Sequence, residues 1–199
     1  MKRVELTNTN AFNNMFKVLR PTSEEQNAAA AVALMMKPLR NGFKVLFVKR
    51  VENSSDPWSG QIAFPGGKHE AKDQNLLQTV IRETFEETGI NLLDCCNILG
   101  VTKAFRSTRK PELKVLPFIV QLDGEVSIKL NQKELESHIW ISLEELQNHK
   151  GTAELDFGVV PAYKLGKTII WGLTYRILEH FFQIIEPRKK QEQKGPYFT

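Results

Sequence analysis

Glu83, Glu86 and Glu87 put three carboxylates within five residues, next to Arg82. Residues three and four apart are neighbours on a helix surface, so in a helix these groups crowd one patch and repel by roughly a few tenths of a kcal/mol per pair. Two kinds of positive charge can offset that. Arg82 can pair with Glu86 at i, i+4, which gives an ordinary solvated face. A divalent cation, Mg²⁺ or Mn²⁺, is the alternative. Such hard ions take oxygen from one or two carboxylates and complete their shell with water and phosphate.

A helix is what the surrounding sequence supplies. Pro65, Gly66 and Gly67 form a turn signal, and no Pro or Gly follows until Gly89. That leaves room for about four helical turns. Asp73 is the expected N-cap and Gly89 the expected C′ residue. At about 100° per residue, Leu77, Val80, Ile81, Thr84 and Phe85 make one arc, the expected buried face. Glu83, Glu86 and Glu87 make the other.

Turn, helix and acids together resemble the Nudix box: Gly, five residues, Glu, seven residues, Arg-Glu, a hydrophobe, any residue, Glu-Glu, any residue, Gly, a hydrophobe. Gly67, Arg82, Glu83, Glu86, Glu87, Gly89 and Ile90 match. Asp73 stands for the first Glu, eight residues instead of seven precede Arg82, and Thr84 replaces a hydrophobe. Glu70 is a second candidate for the first acid. The longer stretch DPWSGQIAFPGGK resembles the subgroup of Nudix hydrolases that includes coenzyme A pyrophosphatases. Arg50, Gly60 and Phe64–Gly67 match that subgroup's signature. Val51 stands where Ser or Ala is usual, a second Arg is missing, and the loop is one residue longer.

The resemblance implies an α/β Nudix fold, a mixed β-sheet sandwiched between helices. It covers roughly residues 28–185. It implies metal-dependent hydrolysis of a diphosphate bond, with Glu83, Glu86 and Glu87 as metal ligands and Arg82 orienting them. A Glu shortly before the Trp140 strand is also implied at the site; of Glu134 and Glu136, Glu134 is the expected auxiliary base or further ligand, against the more ordinary reading of a surface acid. Gly66 and Gly67 let the backbone approach the site. Arg50, Arg106 and Arg109 are expected to contact substrate. Other substrates of the family (ADP-ribose, NADH, dinucleoside polyphosphates, nucleoside triphosphates) stay open, as does a non-catalytic nucleotide-binding module. An isopentenyl-diphosphate isomerase would need an acid and thiol pair that the adjacent Cys95 and Cys96 do not supply.

The rest of the chain bounds these readings. Its 199 residues and 41% hydrophobic content fit one domain with a proper core. The expected division is a helical extension over 1–27, the domain proper over 28–186, and a mobile polar tail over 187–199. A net charge of +4 suits an anionic small molecule but is too small and scattered for a nucleic-acid binder. No apolar run reaches membrane-spanning length. MKRVELTNTN has no apolar stretch behind its basic residues, so no secretory signal is expected and the expected location is cytoplasmic. The adjacent cysteines suit a reducing compartment, as small hydrophobes near a strand.

In chain order, Ala11–Leu19 reads as a short amphipathic helix docked on the domain, with a lid or a homodimer contact as alternatives. Ala28–Met36 and Phe43–Arg50 read as a hairpin through Asn41-Gly42. Trp58 reads as a loop anchor in preference to a base-stacking group. Leu92–Val101 is expected to contain a strand. Lys103–Lys114, with five cations, reads as a hairpin loop able to hold a diphosphate or a 3′-phosphate, or equally as a solvated loop. Val115–Leu122 reads as a strand whose Pro117 suggests an edge or a bulge. Val126–Leu130 reads as another strand. Residues 150–168 read as loop, with Phe157, Val159, Pro161 and Tyr163 as candidate pocket lining, and Ile169–Ile185 as the closing amphipathic helix.

Overall fold

The computed structural model describes residues 8–186. The expected tail, 187–199, lies outside the described residues, as does the start of the expected N-terminal extension. The chain runs α1 (Asn8–Val18), β1 (Ala30–Pro38), β2 (Phe43–Arg50), β3 (Ile62–Ala63), β4 (Gly66–Lys68), α2 (Leu76–Thr88), α3 (Leu92–Cys95), β5 (Cys96–Val101), β6 (Phe105–Arg106) and β7 (Lys114–Leu122). It continues as β8 (Leu135–Ser142), α4 (Leu143–Asn148), β9 (Lys150–Leu155), β10 (Gly158–Leu165), β11 (Thr168–Trp171) and α5 (Gly172–Ile185).

The main sheet is mixed. β1 runs parallel to β7, and the other pairings are antiparallel. The Asn41-Gly42 hairpin forms as expected, but β1 and β2 pair only from Met36↔Val45 to Pro38↔Phe43. Beyond that the two strands part. β7 covers the far side of β1 and β8 the far side of β2, so the opening between them is taken by the segment 62–68. β3 adds to β2, and β4 adds to β1 through Ala31↔Gly67 and Val32↔Gly66. Gly66 and Gly67 are therefore strand residues wedged into a splayed hairpin, where the sequence suggests only a turn.

Strand side chains alternate between faces, and β1 shows what that achieves. Leu34 and Met36 face one core with Phe43, Phe47 and Ile141, covered by α1, α4 and α5. Ala31, Ala33 and Met35 face the other, covered by Leu76 and Val80 of α2. The sheet is thus sandwiched between helical layers, as expected. The small side chains on the α2 side let that helix sit close above β1 and β4.

Several local expectations need correction. Asn75, not Asp73, caps α2, its side chain accepting from the Gln78 N–H; Gly89 closes the helix in the left-handed conformation, as expected. Phe85 is 54% exposed and Glu87 only 2%, so the buried arc of α2 is rotated towards Glu87. Pro117 sits inside β7, not at a sheet edge; it lies opposite the break between β5 and β6, where Thr102 N donates to its carbonyl. Residues 126–130 make no strand, although Val126 and Ile128 still pack on the second core. The segment 150–168 is mostly sheet: β9, β10 and β11 form a three-stranded antiparallel sheet, and α5 begins only at Gly172. Among the described residues no helix is long and apolar enough to cross a membrane.

Candidate active site

The site is built around one guanidinium. Arg82 carries five N–H donors, and five hydrogen bonds use them. Nε and Nη2 grip the two Asp73 oxygens at 2.9 Å each, Nη2 also reaches Lys68 O, and Nη1 bonds Glu83 Oε1 at 2.9 Å and Glu86 Oε2 at 3.1 Å. Arg82 has no donor left for a substrate, so its part is to position Glu83. Asp73 is buried, and it also accepts from the Thr79 hydroxyl and the Glu70 N–H. The Arg82 bonds hold its carboxyl far below the usual carboxylate range, outweighing the effect of burial. The additional residue between Asp73 and Arg82 does not break this link. Glu70, the other candidate for the first acid, is solvent-facing and pairs with Lys72.

Glu87 is fixed from the sheet side. Its Oε2 accepts the Gly66 N–H at 2.8 Å, which ties α2 to β4. Gly66 has φ +139, and a Cβ there would lie 2.2 Å from Ala31 O. At Gly67 a Cβ would lie 2.4 Å from the Glu83 carboxyl carbon. Any larger residue at the first position collides with backbone, and at the second with the acid itself. These two glycines let a strand pass directly under two carboxylates.

Burial dominates the electrostatics of the two acids. Burial pushes Glu87 up to about 8; the Gly66 N–H and Arg50 oppose this, while Glu83 and Glu134 add to it. Burial also raises Glu83, against the pull of Arg82. Among the described residues no cation pairs with Glu87 within 4 Å. Arg50 instead pairs with Asp56 at 2.7 Å. Glu134 is brought near through the backbone: Asn131 N donates to Glu87 O, and Asn131 Nδ2 donates to Glu134 Oε1. Glu86 stays on the exposed side, shared between Arg82 and Lys72.

Among the described residues, no group of three or more Asp, Glu, His or Cys side chains is drawn together tightly enough to enclose an ion unaided. A hard ion such as Mg²⁺ takes only one or two carboxylates and fills the rest of its shell with water and phosphate. Glu87 fits such an ion because a buried carboxylate is costly to ionise without a cation beside it, and the half-buried Glu83, held by Arg82, is the neighbouring acid.

Arg109 lies apart from the acids, donating to Pro57 O and standing 5.6 Å over the Trp171 ring. With Trp58 and Trp171 it lines a cavity of about 450 Å³ beside the start of α5. Of the expected pocket residues, Phe157 and Pro161 line this cavity. Val159 is exposed and Tyr163 is buried in the core. Arg106 belongs to a neighbouring cavity with Lys103, His180 and Arg176. The sequence reading missed Trp171 and Arg176 as cavity residues, since it treated both as helix packing. Cys95 and Cys96 are half-buried with sulfurs 3.6 Å apart, and burial raises the Cys96 thiol.

A mixed sheet between helices, with an arginine-braced acid pair over a Gly-Gly strand, defines a Nudix hydrolase. The NUDIX domain model matches residues 26–163, and the chain belongs to the Nudix family. Over 168 residues the chain is 28% identical to the mitochondrial coenzyme A diphosphatase NUDT8 of Homo sapiens, covering 80% of this chain and 70% of that protein. Over 100 residues it is 34% identical to the peroxisomal coenzyme A diphosphatase ndx-8 of Caenorhabditis elegans, covering 49% and 42% respectively. A MutT/nudix family protein from Enterococcus faecalis superposes with a TM-score of 0.54 at 18% identity, covering 92% of this chain and 74% of that one, which shows the fold. The compartments named for the two diphosphatases differ from the cytoplasmic location expected for this chain.

Proposed function

We infer that the chain hydrolyses the diphosphate bond of a nucleoside-diphosphate-linked substrate, with coenzyme A or acyl-coenzyme A as that substrate and 3′,5′-ADP and (acyl)phosphopantetheine as products. The observation that carries the hydrolytic reading is Glu87: buried, raised to about 8, bonded by the Gly66 N–H, and beside Glu83 with no cation paired to it among the described residues. Coenzyme A is favoured by the match to the two diphosphatases.

In this reading Glu83 and Glu87 hold Mg²⁺ or Mn²⁺, with Glu86 as the third, outer carboxylate. The bound ion would neutralise the diphosphate charge and lower the pKa of a water. The protein's own contribution is placement. Arg82 and the Gly66 N–H fix the two acids, so little reorganisation is left for the reaction. A Glu134 carboxylate oxygen accepts the proton of the attacking water, with Glu83 as the alternative acceptor. Arg50 sits close enough to influence Glu87 and is placed for a substrate phosphate once it leaves Asp56. Arg106 and Arg109 hold phosphate further out.

A product-resolved screen tests this. The chain is given coenzyme A, acyl-coenzyme A, ADP-ribose, NADH and diadenosine polyphosphates, with Mg²⁺ and then Mn²⁺. Release of 3′,5′-ADP from coenzyme A is the expected result. Turnover of ADP-ribose, NADH or dinucleoside polyphosphates alone replaces the substrate but keeps the metal helix. That second reading is favoured by Val51, the missing second Arg and the longer loop. No turnover at all, with nucleotide still bound, favours a non-catalytic nucleotide-binding module.

A further inference from the structure

The two cavities above share a wall. Tyr175 and Arg176, on the first turns of α5, line both. One cavity is aromatic, with Trp58, Phe157, Trp171 and Tyr175; the Phe157 and Trp171 ring centroids are 5.2 Å apart. The other, also of about 450 Å³, is lined by the cations Lys103, Arg106 and Arg176. An apolar chamber next to a cationic one, with Tyr175 and Arg176 between them, suits a ligand with a flat ring at one end and an anion at the other.

The positive charge in this trench is uncompensated. None of Lys103, Arg106, Arg109, Lys110 and Arg176 has a carboxylate within 4 Å among the described residues. Glu179 is the one acid lining the polar cavity, and Lys150 and the Tyr163 hydroxyl engage it. Arg106 and Arg176 are held together, Arg176 Nη2 donating to Arg106 O, and Arg106 Nη1 donating to Pro111 O. Each guanidinium keeps further donors, and arginine forks suit phosphate oxygens. The aromatic side offers stacking surface. Arg109 lies over Trp171 and Lys110 over Trp58, and bases stack on such faces whatever their sequence.

We propose that this trench binds a nucleotide bearing a phosphate monoester on its ribose, separate from the diphosphate bond. The base lies in the Trp58–Trp171 chamber and the monoester in the cationic one, read by Arg176 and Lys103 beside Arg106. This rests on the coenzyme A reading, whose nucleotide end carries a 3′-phosphate, and it assigns recognition of that group to α5 as well as to the basic loop. The trench reaches the carboxylates through one loop: Arg50, which acts on Glu87, pairs with Asp56, and Asp56 Oδ1 accepts the Trp58 N–H at 3.0 Å.

Calorimetry on the full metal-free chain tests it with 3′,5′-ADP and 5′-AMP, which differ only in the 3′-phosphate. The wild type is expected to bind 3′,5′-ADP at least about tenfold tighter, roughly 1.4 kcal/mol. Arg176→Gln and, separately, Lys103→Gln should bring the ratio below about threefold, while Trp171→Leu weakens both ligands by similar factors. A wild-type ratio near one, or one that survives both charge removals, overturns the proposal. Coenzyme A turnover by the wild type is read in parallel. A large ratio without turnover sinks the coenzyme A diphosphatase reading and supports this site; turnover with a ratio near one sinks only this site.

Discussion

Glu87 shows how one side chain can serve function at the expense of the fold. Its carboxyl is raised to about 8 chiefly by burial, so in the metal-free protein ionisation works against stability from about pH 4 upward. Glu87→Gln keeps an oxygen for the Gly66 N–H and removes the buried ionisable carboxyl. Hydrolysis should fall by about 10²–10³-fold or more, the scale for losing a group aimed at developing charge. The melting temperature of the metal-free variant should be equal to or above wild type. Steady-state kinetics and a thermal melt on one preparation check both; near-wild-type turnover would remove Glu87 from the site. Asp73 behaves oppositely. Its folded pKa lies below its unfolded one, so its stabilisation is complete above about pH 4 and is lost as pH falls towards the folded value. Asp73→Asn should cost about 2–3 kcal/mol at pH 7, the range for hydrogen bonds to a charged partner. Urea melts should show the gap narrowing below pH 4. A gap that is constant with pH would mean the Arg82 bonds do not depend on the Asp73 charge.

At the scale of elements, the important unit is β4 against α2. Gly67→Ala directs its methyl at the Glu83 carboxyl, a movable group, so the fold should survive while kcat drops. Gly66→Ala directs its methyl at the Ala31 and Val32 backbone, which cannot give way, and it must also hold φ +139. A chymotrypsin time course should show Gly66→Ala degraded much faster than Gly67→Ala; equal resistance would contradict the wedge between β1 and β2. The sequence made α2 legible through its glycines and its acid spacing. It also pointed to the hairpin and to Arg82 as the orienting group. It did not reveal that the 65–68 segment pairs as a strand, because two glycines carry turn chemistry and no alternation. The helical period put Phe85 on the apolar arc; the real arc turns towards Glu87, which meets a Gly66 N–H that only the fold brings there. The β9–β11 sheet was missed because its strands have mixed exposure, and Phe157, Val159 and Pro161 along them face solvent or a cavity instead of a core. Yet Asp156-Phe157 and Gly166-Lys167 are the two turns of a meander, and their spacing was readable.

For the whole molecule, the sandwich sets one acidic centre between a splayed sheet and α2, and one cationic trench across the start of α5. Opposite charges are thus kept on different elements, with the 51–61 loop joining them. A diphosphate-containing ligand needs a cation at its reacting bond and donors along its length, and the separation stops the protein's own arginines from neutralising the acids first. Arg82 is the exception, and it is held away from solvent by Asp73. If Glu83 and Glu87 hold the ion as proposed, the stability of the fold should depend on it. At a free concentration of 100 times Kd, Mg²⁺ or Mn²⁺ should stabilise the chain by about 2.7 kcal/mol, seen as a rise in melting temperature that chelator reverses. The double variant Glu83→Gln, Glu87→Gln should melt no lower than the metal-free wild type and show no rise. If the double variant gains as much from the ion as wild type, the ion binds elsewhere. If wild type gains nothing at any concentration, no ion binds the Glu83–Glu87 pair and Glu87 stays a protonated acid. Because 3′,5′-ADP would occupy the trench and not the acids, its stabilisation of the same double variant should persist, separating the two centres in a single set of melts.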